Sequence, residues 1–244
     1  MQFNDVVEMA PGVFFRYSSI SATDMSVPFG GCNNIWVVFK DYVAVIDANF
    51  PKEAADVVAA IRKTTDKPIR YVLDDGTQRL EFHFLGHAHT PGDAVAWLPK
   101  HRLLCTGDAC VNGAFNYMGH SNSASWVRVL DRMLDFDPEV VLPGHGKPMA
   151  ARPLVGLQRR YFAEMRDLVK KGIDNNKTLE EITASCEMPW YREWTGKDAA
   201  KIPENIAHVH KEILGKIDHK TLGSAAQPGA MGPYGTEPVR VVGR

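Results

Sequence analysis

The chain has 244 residues, 45% hydrophobic and 23% charged. That balance suits one large globular domain or two small ones and excludes a fully disordered or collagen-like polymer. Lysine and arginine number 28 against 29 aspartates and glutamates, a formal net charge of −1, which excludes a strongly basic nucleic-acid binder.

The first third reads as strands and one helix. Gly12–Tyr17 is a short β-rich run after a Pro-Gly turn. Asn34–Phe39 and Tyr42–Ile46 form a hairpin whose arms are nearly continuously apolar, as expected of strands covered on both faces. Pro51 opens a helix over 52–63, with Val57, Val58 and Ile61 at helical spacing. Lys67–Leu73 is the next strand, and strand-helix-strand implies a right-handed crossover. Arg79–Leu85 alternates polar and apolar residues, the pattern of a half-buried strand. Ala94–Leu98 and Arg102–Cys105 are two strands joined by a polar turn. Ser125–Phe136 is an amphipathic helix and Glu139–Leu142 a strand stopped by Pro143-Gly144. The rest is helical: 154–171, a capped start at Thr178 with Glu181 three residues on, and 203–216. One domain is expected over 1–218, with a Gly/Pro-rich tail over 219–244 that is flexible or partner-bound.

Cys32, Cys105, Cys110 and Cys186 form no CxxC, and the chain is too long and cysteine-poor for a disulfide framework. They read as reduced thiols of a cytoplasmic protein. The N-terminus shows no signal-peptide pattern and no apolar run long enough to span a membrane, so no membrane partner is expected.

Three pieces carry chemistry. Gly86-His87-Ala88-His89-Thr90-Pro91-Gly92-Asp93, Thr106-Gly107-Asp108 and Pro143-Gly144-His145-Gly146 each follow a predicted strand. Loops at strand ends share one sheet edge, so His89, Asp108 and His145 can converge there. Two imidazoles and a carboxylate suit zinc, with iron or manganese as alternatives.

The segments AHTPGD, LLCTGDACV and VVLPGHG, in that order, resemble the metallo-β-lactamase fold superfamily of metallo-hydrolases. NNIWVVFKDYVAVIDANF is similar to that family's N-terminal hairpin, with Asp47 at the place of its strand-end aspartate. The resemblance runs from about residue 10 to about residue 150. It implies an α/β fold, the αββα sandwich of two face-to-face sheets with helices outside. It also implies one or two zinc ions, with His89 and His145 as ligands of separate metals and Asp108 between them.

The family's H-x-H-x-D-H run is nowhere in the sequence: Leu73 leads straight into Asp74-Asp75-Gly76. The expected first half is therefore truncated after the strand ending at Leu73. A catalytic zinc takes about three protein ligands plus water. Split between two metals, His89, Asp108 and His145 leave each site starved; together they make one mononuclear site. His87 is a candidate extra ligand. Asp93 and Asp47 are expected behind the ligands as hydrogen-bond acceptors. Asn112 and His120 are candidates for a substrate loop, and no catalytic acid or base is assigned.

The expected function is hydrolysis of an ester, lactone, thioester or amide by a metal-activated water. The alternative is a non-catalytic binding or assembly module of the same fold with weak or no metal. Loss of a strand and helix would bare apolar surface, so a homodimer or larger homo-oligomer is expected. A small-molecule substrate is expected, and a nucleic-acid partner is not.

Overall fold

Period-two alternation along the strands decides the layers. The computed structural model describes residues 1–18, 32–47, 51–67, 77–114, 117–196 and 203–219. The first sheet has the order β1 (Val6–Ala10), β2 (Val13–Arg16), β3 (Asn34–Val38), β4 (Val43–Ile46), all antiparallel. The second runs β5 (Glu81–His83), β6 (Val95–Leu98), β7 (Leu103–Gly107), β8 (Val140–Pro143), β9 (Met149–Ala150), with β7 and β8 parallel.

Val13, Phe15, Ile35 and Val37 of the first sheet pack in one cluster with Ala96, Leu98, Leu103, Cys105 and Leu142 of the second. The residues between them in sequence point outward. Trp36 and Val43 pack on Val57 and Ile61 of α1 (Pro51–Arg62). Trp97, Leu104 and Val141 pack under α2 (Ser123–Met133) and α3 (Ala151–Asp174). The result is a mixed α/β sandwich with helices on both outer faces. The nearly continuous apolar strands are explained, since each has a core on either side.

The second sheet's helical layer is completed by α4 (Leu179–Ser185), α5 (Pro189–Thr195) and α6 (Pro203–Ile213). Thr178 and Glu181 form the reciprocal capping box expected from their spacing. Such a cap is worth about 1 kcal/mol. The carboxylate of Glu212 ties α6 to α2 and α3: it accepts from Ser123 N and Ser123 Oγ, pairs with Arg166 at 3.4 Å, and meets His208 at 3.4 Å.

Several elements differ from expectation. β1, β9 and α5 carry too short or too mixed a pattern to read from sequence. The strand expected over 79–85 is reduced to Glu81–His83; of its four apolar residues Leu80 and Leu85 are buried, while Phe82 and Phe84 are 53% and 63% exposed. The alternation does mark a face, and Leu80 on that face is buried in the inter-sheet core at 2% exposure. Phe82 lies opposite Ala96, a residue of the inter-sheet core, so it belongs to the inner face of the sandwich at an edge where that face is uncovered among the described residues. Residues 68–73 of the expected strand, and the tail from 220 onward, lie outside the described residues.

Candidate metal centre

Asp108 follows β7 and His145 follows β8. Because these strands are parallel neighbours, their C-terminal ends lie side by side. The backbone then laces the loops together: Gly144 N donates to Gly107 O at 2.9 Å, and Asn112 N to His145 O at 2.9 Å. Asp108 Oδ1 reaches His145 Nε2 at 3.1 Å, and Asp108 Oδ2 is 4.0 Å from His89 Nδ1. Two glycines make this approach possible. A Cβ on Gly144 would lie 2.5 Å from Asp108 Oδ1. Gly146 has a φ of +85°, and a Cβ there would lie 1.8 Å from Asn112 O.

The first sheet contributes the third wall. Asn33, buried just before β3, donates from Nδ2 to Pro143 O at 3.0 Å and Gly146 O at 2.7 Å, and its backbone N–H donates to Gly144 O at 2.8 Å. Asn34 beside it accepts from Arg16 Nη1 at 2.8 Å and donates to Asp47 O at 3.0 Å. This clamp delivers the preceding residue, Cys32, to the site: Sγ lies 3.6 Å from His145 Nε2. One donor atom each from Cys32, Asp108 and His145 lie within 4.8 Å of one another.

From sequence alone Cys32 reads as an ordinary reduced thiol. The only hint was its place before a two-asparagine strand start.

The remaining expected residues fall as follows. His89 is close to Asp108 and packed edge-on against Trp126 and Tyr117, at 5.8 and 6.3 Å between ring centroids. Its Nε2 is buried with no hydrogen-bond partner among the described residues, an orphaned donor-acceptor that suits a ligand role. His87 is turned elsewhere: its exposed Nε2 bonds the carbonyl of His120 at 2.7 Å. Asp93 holds its own loop, accepting from Thr90 N and Thr90 Oγ1 at 3.0 and 2.6 Å. Asp47, at a left-handed φ of +61°, hydrogen-bonds Cys32 through its side chain. Asn112 braces the His145 loop, donating from Nδ2 to Lys147 O at 2.8 Å. His120 packs edge-on against Tyr117, which also lines an open cleft with His208, Lys211 and Asp218.

The electrostatics favour a cation. Burial raises the Asp108 carboxyl, but the hydrogen bond and charge of His145 and the charge of His89 outweigh it and hold the group below its ordinary value. Burial first, then the charges of Asp108 and Asp47, push the Cys32 thiol far above its ordinary value. A corner that gathers two carboxylates and a thiol is the environment a divalent ion reverses. The sulfur, imidazole and carboxylate donors together suit zinc.

Known proteins agree with this architecture. The family model of the metallo-beta-lactamase superfamily matches residues 68–145, a stretch that contains His89, Asp108 and His145. Among solved structures, the chain is similar to the metallo-beta-lactamase FIM-1 from Pseudomonas aeruginosa in its mono-zinc form, at 15% identity and a TM-score of 0.55, over 66% of this chain and 95% of that one. It is also similar to metallo beta lactamases from Erythrobacter litoralis (15% identity, TM-score 0.53, 67% and 94% covered) and Hirschia baltica (17%, 0.52, 66% and 98%). No curated protein matches the chain. Residues 68–145 thus match the metallo-beta-lactamase superfamily, and the fold is the one its solved members share.

Proposed function

We propose that the chain hydrolyses an ester, lactone, thioester or amide with the help of a single divalent ion, zinc in the first place, held at the corner of Asp108 and His145 with His89 beside it. One observation carries the reading: Asp108 stands 3.1 Å from His145 and 4.0 Å from His89, on three loops that each follow a strand of the second sheet. A single ion is favoured over a pair because the sequence has no H-x-H-x-D-H run to furnish a second set of ligands. The mono-zinc form of FIM-1 supports one ion in a related fold. Bound there, the ion supplies Lewis acidity, making a water acidic near neutral pH and polarising a carbonyl. Asp108 and His145 would hold the ion, Gly144 lets their loops approach, and Trp126 and Tyr117 pack edge-on against the His89 ring.

The test is metal analysis of protein purified without chelator, followed by a panel of esters, lactones, thioesters and β-lactams. About one ion per chain is expected, with turnover lost in chelator and restored by zinc. Full metal loading with no turnover on any member of the panel overturns the hydrolase reading.

The alternative of a non-catalytic assembly module is favoured by a different observation, the exposed Phe82 and Phe84 on the uncovered inner face at β5. Exposed aromatic surface on an edge strand invites another chain. We propose a homodimer or larger homo-oligomer that covers it, whether or not the site turns over. No helix among the described residues is long and apolar enough to cross a membrane. None of the four cysteines is in a disulfide, which supports the cytoplasm as the compartment.

A further inference from the structure

We propose that Cys32 Sγ is a direct ligand of the ion, completing with Asp108 and His145 a sulfur, oxygen and nitrogen site drawn from both sheets. This rests on the reading that the chain binds a metal, and it changes which residues hold it. Three donors within 4.8 Å of one another are close enough to share one ion, and Cys32, Asp108 and His145 meet that condition. His89 comes within 4.0 Å of Asp108 but does not lie within 4.8 Å of all three donors, so it sits beside the set.

The position of Cys32 is built. Asn33 makes two side-chain bonds and one backbone bond to the Pro143–Gly146 loop, so the residue before it is held against His145 by the same clamp that shapes that loop. Ser18 N donates to Asn33 Oδ1 at 2.9 Å and fixes the amide's orientation, leaving Nδ2 to face the two carbonyls. The other three cysteines are buried in the core, Cys105 between the sheets and Cys110 and Cys186 under the helices. Cys32 alone is brought to a carboxylate and an imidazole.

On binding, the Cys32 S–H bond breaks, the sulfur bonds the ion, and the proton leaves to solvent, so the balance needs no oxidant or reductant. A thiolate donor also sets selectivity. Softer borderline ions such as zinc, cobalt and cadmium are favoured over manganese or magnesium, which prefer oxygen. Three protein donors would leave room for a water, as a catalytic zinc site requires.

The experiment is cobalt(II) titration of the full chain, stripped of metal, with Cys32→Ser as the isosteric variant. Wild type is expected to bind about one cobalt with an intense near-ultraviolet sulfur-to-cobalt charge-transfer band. Cys32→Ser is expected to lose the band and to bind at least as much more weakly as the roughly 10–100-fold typical of losing a residue that only supports a ligand. As a check that needs no variant, zinc should slow the reaction of one accessible thiol of the native protein with an aromatic disulfide reagent. Cobalt bound without the band, or equally by the variant and with no thiol protection, overturns the cysteine ligand while leaving metal binding at Asp108 and His145 intact. No cobalt or zinc bound by the wild type overturns both.

Discussion

Replacing Asn33 with alanine should destabilise the protein more than its size suggests, because one small side chain holds the two sheets together at the site. Asn33 is 1% exposed and makes three side-chain hydrogen bonds: it accepts from Ser18 N at 2.9 Å and donates to Pro143 O at 3.0 Å and Gly146 O at 2.7 Å. Alanine fills none of these roles. At a net 0.5–1.5 kcal/mol for each lost bond, the sum is about 1.5–4.5 kcal/mol. With a urea slope near 2 kcal/mol/M, the unfolding midpoint should fall by roughly 1–2 M with the slope unchanged. Tryptophan fluorescence in urea, with chelator present so that metal does not contribute, reads this directly. Asn33→Asp sharpens the test. It keeps an acceptor for Ser18 N but turns an oxygen toward two carbonyls, so it should be worse than alanine at neutral pH. A midpoint within about 0.3 M of wild type for the alanine variant, or an aspartate variant as stable as wild type, refutes the clamp.

Three other outcomes are expected. Gly146→Ala places a methyl 1.8 Å from Asn112 O at a φ of +85°, so conformational strain of about 1–2 kcal/mol adds to a forced backbone shift that threatens the Asn112 N–H to His145 O bond; a loss of about 3 kcal/mol or more is expected in thermal unfolding, and an unchanged melting temperature argues that the loop has room. Burial raises the Glu212 carboxyl, but hydrogen bonds from His208 and Ser123 hold it below its ordinary value. A lowered carboxyl stabilises the fold above its unfolded value, about 4.3, and that stability is lost as pH falls through the folded value. Glu212→Gln should therefore cost stability near pH 7 and much less near pH 3, as urea titrations at the two pH values will show; an equal cost at both contradicts the assignment. Phe82→Ser combined with Phe84→Ser should lower the mass seen by light scattering at micromolar concentration, and a wild type that is already monomeric removes the proposed oligomer.

The parts legible in the sequence were those in which local pattern and tertiary role coincide. The apolar runs at Asn34–Phe39 and Tyr42–Ile46 are strands because both faces meet a core, and that requirement is written in consecutive residues. Asp108 and His145 stood out because each sits in a glycine-bearing turn after a strand, and parallel pairing of β7 and β8 brings the turns together. Cys32 could not be read this way. It is 113 residues from His145, and only the packing of one sheet on the other makes them neighbours. His87 misled for the converse reason. Two histidines two apart share a side on an extended segment, but the chain over 86–91 is not regular strand, and His87 turns to the carbonyl of His120. At β5 the alternation marked a face correctly, but which face is covered depends on what the opposite sheet reaches, and a one-strand pattern holds no such information.

The two ligand sets now in view differ in what they ask of the fold. His89, Asp108 and His145 all hang from the second sheet, so an ion held by them leaves the first sheet out of the bargain. Cys32, Asp108 and His145 span the seam, and such an ion binds only when the sheets are packed as they are here. Anything that binds the folded state alone stabilises it by about 2.7 kcal/mol at a hundredfold excess over its dissociation constant. With the seam-spanning set, that stabilisation falls on the contact between the sheets, where Asn33 already works. Weakening the Asn33 clamp and removing the ion are then coupled perturbations of one interface. With the one-sheet set they meet only at the His145 loop, which Asn33 also holds, so the coupling is smaller. A metal held by the seam-spanning set would therefore report on how the two halves of the sandwich are held together.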